Sequence, residues 1–148
     1  MATQVDTKIA EAQIHHLMDD WARAARDKDI DGIMACYTPD IVSFDMIPPL
    51  QCVGAEAYRK DWQMGFEMCQ EPGDFETRDE TLAVGADVAF CHRLNRMSGT
   101  DKEGNAFDCW VRWTQCFKKV HGKWLIAHEH ISVPLDMQTN QALTDLKP

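Results

Sequence analysis

Asp45, His92, His128 and His130 are the side chains whose types and placement in this chain suit proton transfer. Imidazole titrates near neutral pH and can act there as acid or base. A carboxyl among apolar neighbours is desolvated, so its pKa rises and it becomes a better base. Asp45 fits that description, because it lies between Phe44 and Met46 at the end of a strand-like stretch, just before Pro48-Pro49. The competing reading is an exposed or capping aspartate. His128 and His130 alternate along Lys123 to Val133, a run rich in Trp, Ile and Val that follows a Gly turn and closes at Pro134. Alternation puts Trp124, Ile126, His128, His130 and Ser132 on one face and Leu125, Ala127, Glu129, Ile131 and Val133 on the other. The first row begins apolar and ends in two imidazoles and a hydroxyl, the pattern expected where a strand end lines a pocket. The same pair is also a metal-ligand geometry, with Asp45 as a third ligand, or a pair of histidines satisfied by Gln115 or by backbone. No further histidine follows at ligand spacing, so neither a metal nor a cofactor is assigned.

The elements that must hold these residues follow from periodicity. Ile9, Ile14, Leu17, Met18, Trp21, Ala24 and Ala25 form a helical stripe that ends near Lys28. A short helix through Ile33 and Met34 stops before Pro39, and Asp40 to Met46 reads as a strand. Gly54 opens a third helix over Ala55 to about Cys69, with Tyr58, Trp62, Phe66 and Cys69 on its apolar face. Strands then follow over Phe75 to Val84, Val88 to Met97, Ala106 to Val120 and the histidine-bearing stretch, while Leu135 to Pro148 reads as a flexible tail. A two-residue turn at His121-Gly122 pairs Phe117 with Ile126, Gln115 with His128 and Trp113 with His130. Cys109, Val111, Trp113, Gln115 and Phe117 are therefore expected to face inward, with Val88, Phe90, His92 and Leu94 as the equivalent row of the preceding strand. The outer face would carry Trp110, Leu125 and Ile131, with an Arg112–Glu129 pair; apolar bulk of that kind calls for a cover, most simply a second copy of the chain. A register slip of one residue exchanges the two faces. Helices first and strands after give the α+β class in one domain of 148 residues.

Composition removes several function classes. A net charge of −9 argues against nucleic acid and against anionic membrane surfaces. Met1 to Lys8 is polar and no apolar run approaches the ~20 residues of a spanning helix. The six cysteines form no Cys-x-x-Cys pair and read as reduced thiols of a cytoplasmic protein. Cys91, Cys109 and Cys116 lack an evident basic helper in the sequence, and there is no phosphate loop, nucleophile elbow or dinucleotide fingerprint.

With this element order in place, the chain resembles the SnoaL-like and ketosteroid-isomerase-like proteins of the nuclear transport factor 2-like superfamily. The likeness rests on Trp21 to Tyr37 running into Thr38-Pro39-Asp40-Ile41-Val42-Ser43-Phe44-Asp45, on Gly54 before the third helix, and on Gly122-Lys123-Trp124 leading to His128-Glu129-His130-Ile131-Ser132-Val133-Pro134. It implies a cone-shaped fold with helices on the concave face of a curved sheet, a pocket between them, and a homodimer through the outer sheet face. Asp45 falls where the isomerases hold their general-base aspartate; Trp21 stands where a tyrosine is expected and Trp113 where a second carboxyl is. The last-strand His-x-His-x-Ser also resembles the association domain of calcium/calmodulin-dependent kinases, with Gln115 in the place of an arginine. Scytalone dehydratase, of the same superfamily, uses a histidine pair with an aspartate. The expected function is acid/base catalysis without a cofactor (isomerisation, cyclisation or dehydration) on a small hydrophobic carbonyl compound. Asp45, His128 and His92 would be the catalytic groups, and Trp21, Tyr58, Trp62, Phe66, Trp113, Gln115 and His130 the ligand-binding lining. The alternative is a non-catalytic ligand-binding or assembly domain that dimerises through its sheet.

Overall fold

The protein is described from a computed structural model covering residues 3–148. Helix α1 (Gln4–Arg26) begins in a capping box, in which Thr3 and Asp6 satisfy each other's backbone N–H groups. Its buried stripe of Ala10, Ile14, Leu17, Met18, Trp21 and Ala24 follows the helical period and packs on the sheet. Asp29 caps the short α2 (Ile30–Met34) by accepting from the Gly32 amide at 2.9 Å. Strand β1 (Tyr37–Phe44), the two-residue β2 (Cys52–Val53) and α3 (Ala55–Met68) complete the amino-terminal half.

The remaining strands are β3 (Cys69–Pro72), β4 (Glu76–Val84), β5 (Val88–Asp101), β6 (Ala106–Val120) and β7 (Lys123–Ser132). The main sheet runs β2-β1-β7-β6-β5, with β3 and β4 both pairing with β5, at its two ends. The β1–β7 contact is parallel and the others are antiparallel, so the sheet is mixed. Leu135–Asp136 and Gln141–Ala142, in the segment expected to be a flexible tail, pair as the small hairpin β8–β9.

Two rows of side chains differ from the expected facing. The turn at His121-Gly122 has positive φ at both residues and sets the β6–β7 register as predicted, down to Phe117 opposite Ile126. Beyond that point Cys116 pairs with His128, so Ala127 is an extra residue in β7. A bulge of this kind bends the strand and reverses the alternation after it. Trp124 and Ile126 face inward as expected, but after the bulge Glu129 and Ile131 face inward, while His128 and His130 lie on the convex side. In β5 the inward residues are Ala89, Cys91, Arg93 and Asn95, not Val88, Phe90, His92 and Leu94. The pairing of Cys91 with Gln115 and of Arg93 with Trp113 fixes that parity. Arg112 accordingly donates to Ser132 at 3.1 Å on the outside, and the expected Arg112–Glu129 pair does not form.

Candidate functional site

A cavity of about 350 Å³ lies between α3, the end of α1, β3 and the concave face of the sheet. Helix α3 presents Asp61, Trp62, Gly65 and Phe66 to it, residues spaced to share one helical face. At Gly65 an added Cβ would meet nothing within 4 Å, so the helix is open to the cavity there. The sheet contributes Met97, Trp113 and Ile131, and Phe75 joins them from the loop before β4. Trp21 lies beneath this wall with its ring centroid 5.9 Å from Trp62, 5.7 Å from Phe75 and 4.9 Å from Trp113, each close to edge-on.

Two carboxyls reach this apolar space. Asp45 follows the last residue of β1, and its Oδ1 accepts from the Met46 amide at 2.7 Å. Asp61 comes from the middle of α3, is 8 % exposed, and lines the same cavity as Asp45, near enough for the two carboxyls to interact. Burial raises the Asp45 pKa, and the hydrogen bonds from the Met46 backbone and from Asp61 work in the opposite direction. Burial, then the charge of Asp45 and the hydrogen bond to it, push Asp61 up to about 6. Two carboxyls that share a proton in an apolar setting separate in acidity, which makes one a base and the other an acid. No cation forms an ion pair with either among the described residues. Asp61 was not singled out from the sequence. Its signal was a carboxylate at an inward position of the Tyr58–Trp62–Phe66 stripe, where an apolar residue is the rule.

Behind the cavity wall lies a buried polar network centred on Glu129, which is fully buried. Tyr58 donates to its Oε2 at 2.7 Å, Tyr37 donates to the same oxygen at 3.0 Å, and Gln115 donates to Oε1. Trp21 Nε1 donates to the Tyr37 hydroxyl at 2.7 Å. Arg93 donates to Gln115 at 2.9 Å and to Asn95 at 3.2 Å, and stands 4.0 Å from Glu80. Burial raises the Glu129 pKa; the hydrogen bonds from Gln115, Tyr58 and Tyr37 and the Arg93 charge oppose it. Burial, above all, and the Glu129 charge raise both tyrosines well above their usual range, so they remain donors.

The predicted site residues therefore divide into three groups. Asp45, Trp62, Phe66 and Trp113 line the cavity. Trp21, Tyr58 and Gln115 are packed or hydrogen-bonded behind it. His92, His128 and His130 lie across the sheet from it, which corrects the expectation that they look into the hollow. His128 donates from Nδ1 to the Val42 carbonyl at 2.6 Å and meets the edge of Phe44 at 4.7 Å; His130 is 5.6 Å from that ring and His92 stacks with Phe90 at 6.4 Å. Asp45 is thus on the opposite side of the sheet from the histidine pair, and no cluster of three or more metal-ligating side chains occurs among the described residues. No helix among them is long and apolar enough to cross a membrane.

The architecture matches known proteins closely. A nuclear transport factor 2-like protein from Pseudomonas putida KT2440 superposes with a TM-score of 0.87 at 41% identity, over 95% of this chain and 98% of that one. A ketosteroid isomerase-like protein from Erwinia carotovora atroseptica matches with a TM-score of 0.72 at 23% identity, over 82% of this chain and 93% of that one. A putative dehydratase from Streptomyces avermitilis matches with a TM-score of 0.77 at 14% identity, over 88% of this chain and 99% of that one. No curated protein matches the sequence. Residues 14–136 match the SnoaL-like domain family, and together with the curved mixed sheet and its concave cavity this places the chain in the SnoaL-like family of the nuclear transport factor 2-like superfamily.

Proposed function

We propose that the protein is an enzyme that moves protons on a small hydrophobic carbonyl compound, by isomerisation, cyclisation or dehydration, with Asp45 as the base. The observation that carries this is the Asp45–Asp61 pair at an apolar cavity, where burial raises both pKa values and makes each carboxylate a stronger base. Asp45 takes a proton from the carbon next to the carbonyl, and Asp61 beside it keeps that proton in the site for delivery elsewhere on the molecule. The aromatic walls hold the carbon skeleton and exclude water, which strengthens the electrostatics of the pair. The names of the ketosteroid isomerase-like and dehydratase relatives accord with chemistry of this kind.

The test is proton exchange from deuterated solvent into a panel of aryl ketones, followed by NMR. The wild-type protein should accelerate exchange, and Asp45→Asn should lower the acceleration by about 10²–10⁴-fold. His128→Ala should leave it intact, because that ring lies across the sheet from the cavity. Exchange that persists in Asp45→Asn would rule out this role.

We also propose that two copies pair through the convex sheet face. Phe44, Val88 and Phe90 are exposed there at 38%, 56% and 47%, more apolar surface than an isolated subunit usually leaves on one face.

A further inference from the structure

Asp45, Asp61 and Asp101 line the cavity, and among the described residues no cation pairs with Asp45 or Asp61. The cations in its lining are Arg26 and Lys28. Arg26 is exposed, and Lys28 donates to the Cys69 and Gln70 carbonyls. The Ser98 hydroxyl donates to the Asp74 carbonyl at 3.2 Å, and Asp101, a third acid in the lining, has its carboxylate occupied by the Glu103 and Asn105 amides and the Asn105 side chain. Removing a proton next to a carbonyl builds negative charge on the oxygen, and enzymes ordinarily meet that charge with fixed donors or cations. Here the charge would build beside carboxylates, and among the described residues the donors left without a partner on the lining are the neutral indole N–H groups of Trp62 and Trp113 rather than a cation. The walls of Trp62, Phe66, Phe75 and Trp113 meanwhile offer π faces and edges, and π faces attract cations.

From this combination we infer that the substrate carries its own positive charge: it is an apolar ketone with a quaternary or protonated amine on the carbon next to the carbonyl, and Asp61 pairs with that nitrogen while Asp45 acts as the base. The inference rests on the acid/base reading of Asp45 and adds the substrate class. In the step, the C–H bond between carbonyl and nitrogen breaks, its proton forms an O–H bond on the Asp45 carboxyl, and the electron pair enters the enolate. The neighbouring ammonium offsets the enolate charge. Return of the proton to carbon restores Asp45, and no other reactant is consumed. A bound cation also offsets the repulsion between the carboxyls whenever both are ionised, with Arg26 and Lys28 too committed or too exposed to do so.

The test compares phenacyltrimethylammonium, permanently charged, with its neutral isostere 3,3-dimethyl-1-phenylbutan-1-one. Binding is measured by calorimetry at pH 7, and exchange at the methylene carbon by NMR in deuterated buffer. The charged ketone should bind about tenfold more tightly or better. In Asp61→Asn that preference should shrink to within about twofold, with circular dichroism confirming that the variant is folded. Equal or tighter binding of the neutral ketone by the wild-type protein, or binding of neither, overturns the inference. If the neutral ketone binds equally well and its exchange is accelerated in an Asp45-dependent way, the substrate class is wrong and the acid/base reading stands. If the cation is preferred but exchange is not accelerated for either, Asp61 keeps its pairing role and Asp45 loses its role as base.

Discussion

Asp61 occupies an inward position on an otherwise apolar helix face, and its acidity there has a consequence for stability. Its pKa rises from 3.8 to about 6, chiefly through burial and then through the charge of Asp45. Between about pH 4 and pH 6 the folded chain holds a proton that the unfolded chain has released. Unfolding is therefore accompanied by proton release in that window, and stability should fall as pH rises through it. Asp61→Asn removes the buried charge, so it should stabilise the protein at pH 7 by about 1–3 kcal/mol and flatten this pH dependence. Urea unfolding at pH 4, 5, 6 and 7 checks both effects; a destabilised variant with an unchanged profile would show that the Asp61 charge is compensated in the fold. Asp45 was legible in the sequence because it follows a strand between two apolar residues. Asp61 was not, since one carboxylate in a helix of mixed polarity looks like solvated surface until the partner helix and sheet are in place.

At the scale of elements, the strand that carries the histidines shows how one extra residue redirects a site. The helix order, the β6–β7 turn and the inward row of β6 all follow from local pattern and turn chemistry. The bulge at Ala127 does not, because its cause is tertiary: β7 pairs with β1 on one side and β6 on the other, and both registers shift at this point. Past the bulge, alternation brings Glu129 to the interior in place of His128. The facing of β5 was equally hidden, since Arg93 reads as an outward residue unless Gln115 and Asn95 are known to receive it. Glu129 ties α3 to the sheet through Tyr58 and anchors Tyr37 of β1. Glu129→Ala should cost about 3–5 kcal/mol, because it leaves the buried hydroxyls, Gln115 and Arg93 without their acceptor or counter-charge. Glu129→Gln, which keeps an acceptor oxygen, should cost less. Chemical denaturation of both variants measures this, and equal, small losses would mean that the network contributes little. On α3, Gly65→Phe should fill the open cavity and abolish ligand binding while the chain still folds, as ketone calorimetry together with circular dichroism would show.

For the whole molecule, the two faces of the sheet differ in what they present. The concave face and α3 enclose the carboxyl pair, and the convex face carries Phe44, Phe90 and the three displaced histidines. If that face joins two copies, Phe90→Asp should shift the sedimentation coefficient from dimer to monomer without changing the cavity; a wild-type protein that sediments as a monomer at micromolar concentration would dismiss the pairing. The family resemblance made the cone and its hollow legible from sequence, while the occupants of the hollow depended on register. The central claim is that Asp45 and Asp61 act as one coupled acid/base unit inside it. Carbon-13 NMR titration of the aspartate carboxyls tests this most directly. One carboxyl of the pair should titrate near 6 in the wild-type protein and move down in Asp45→Asn, staying above the ordinary aspartate value because its burial remains. Two independent titrations near 4, unaffected by either substitution, would contradict the account.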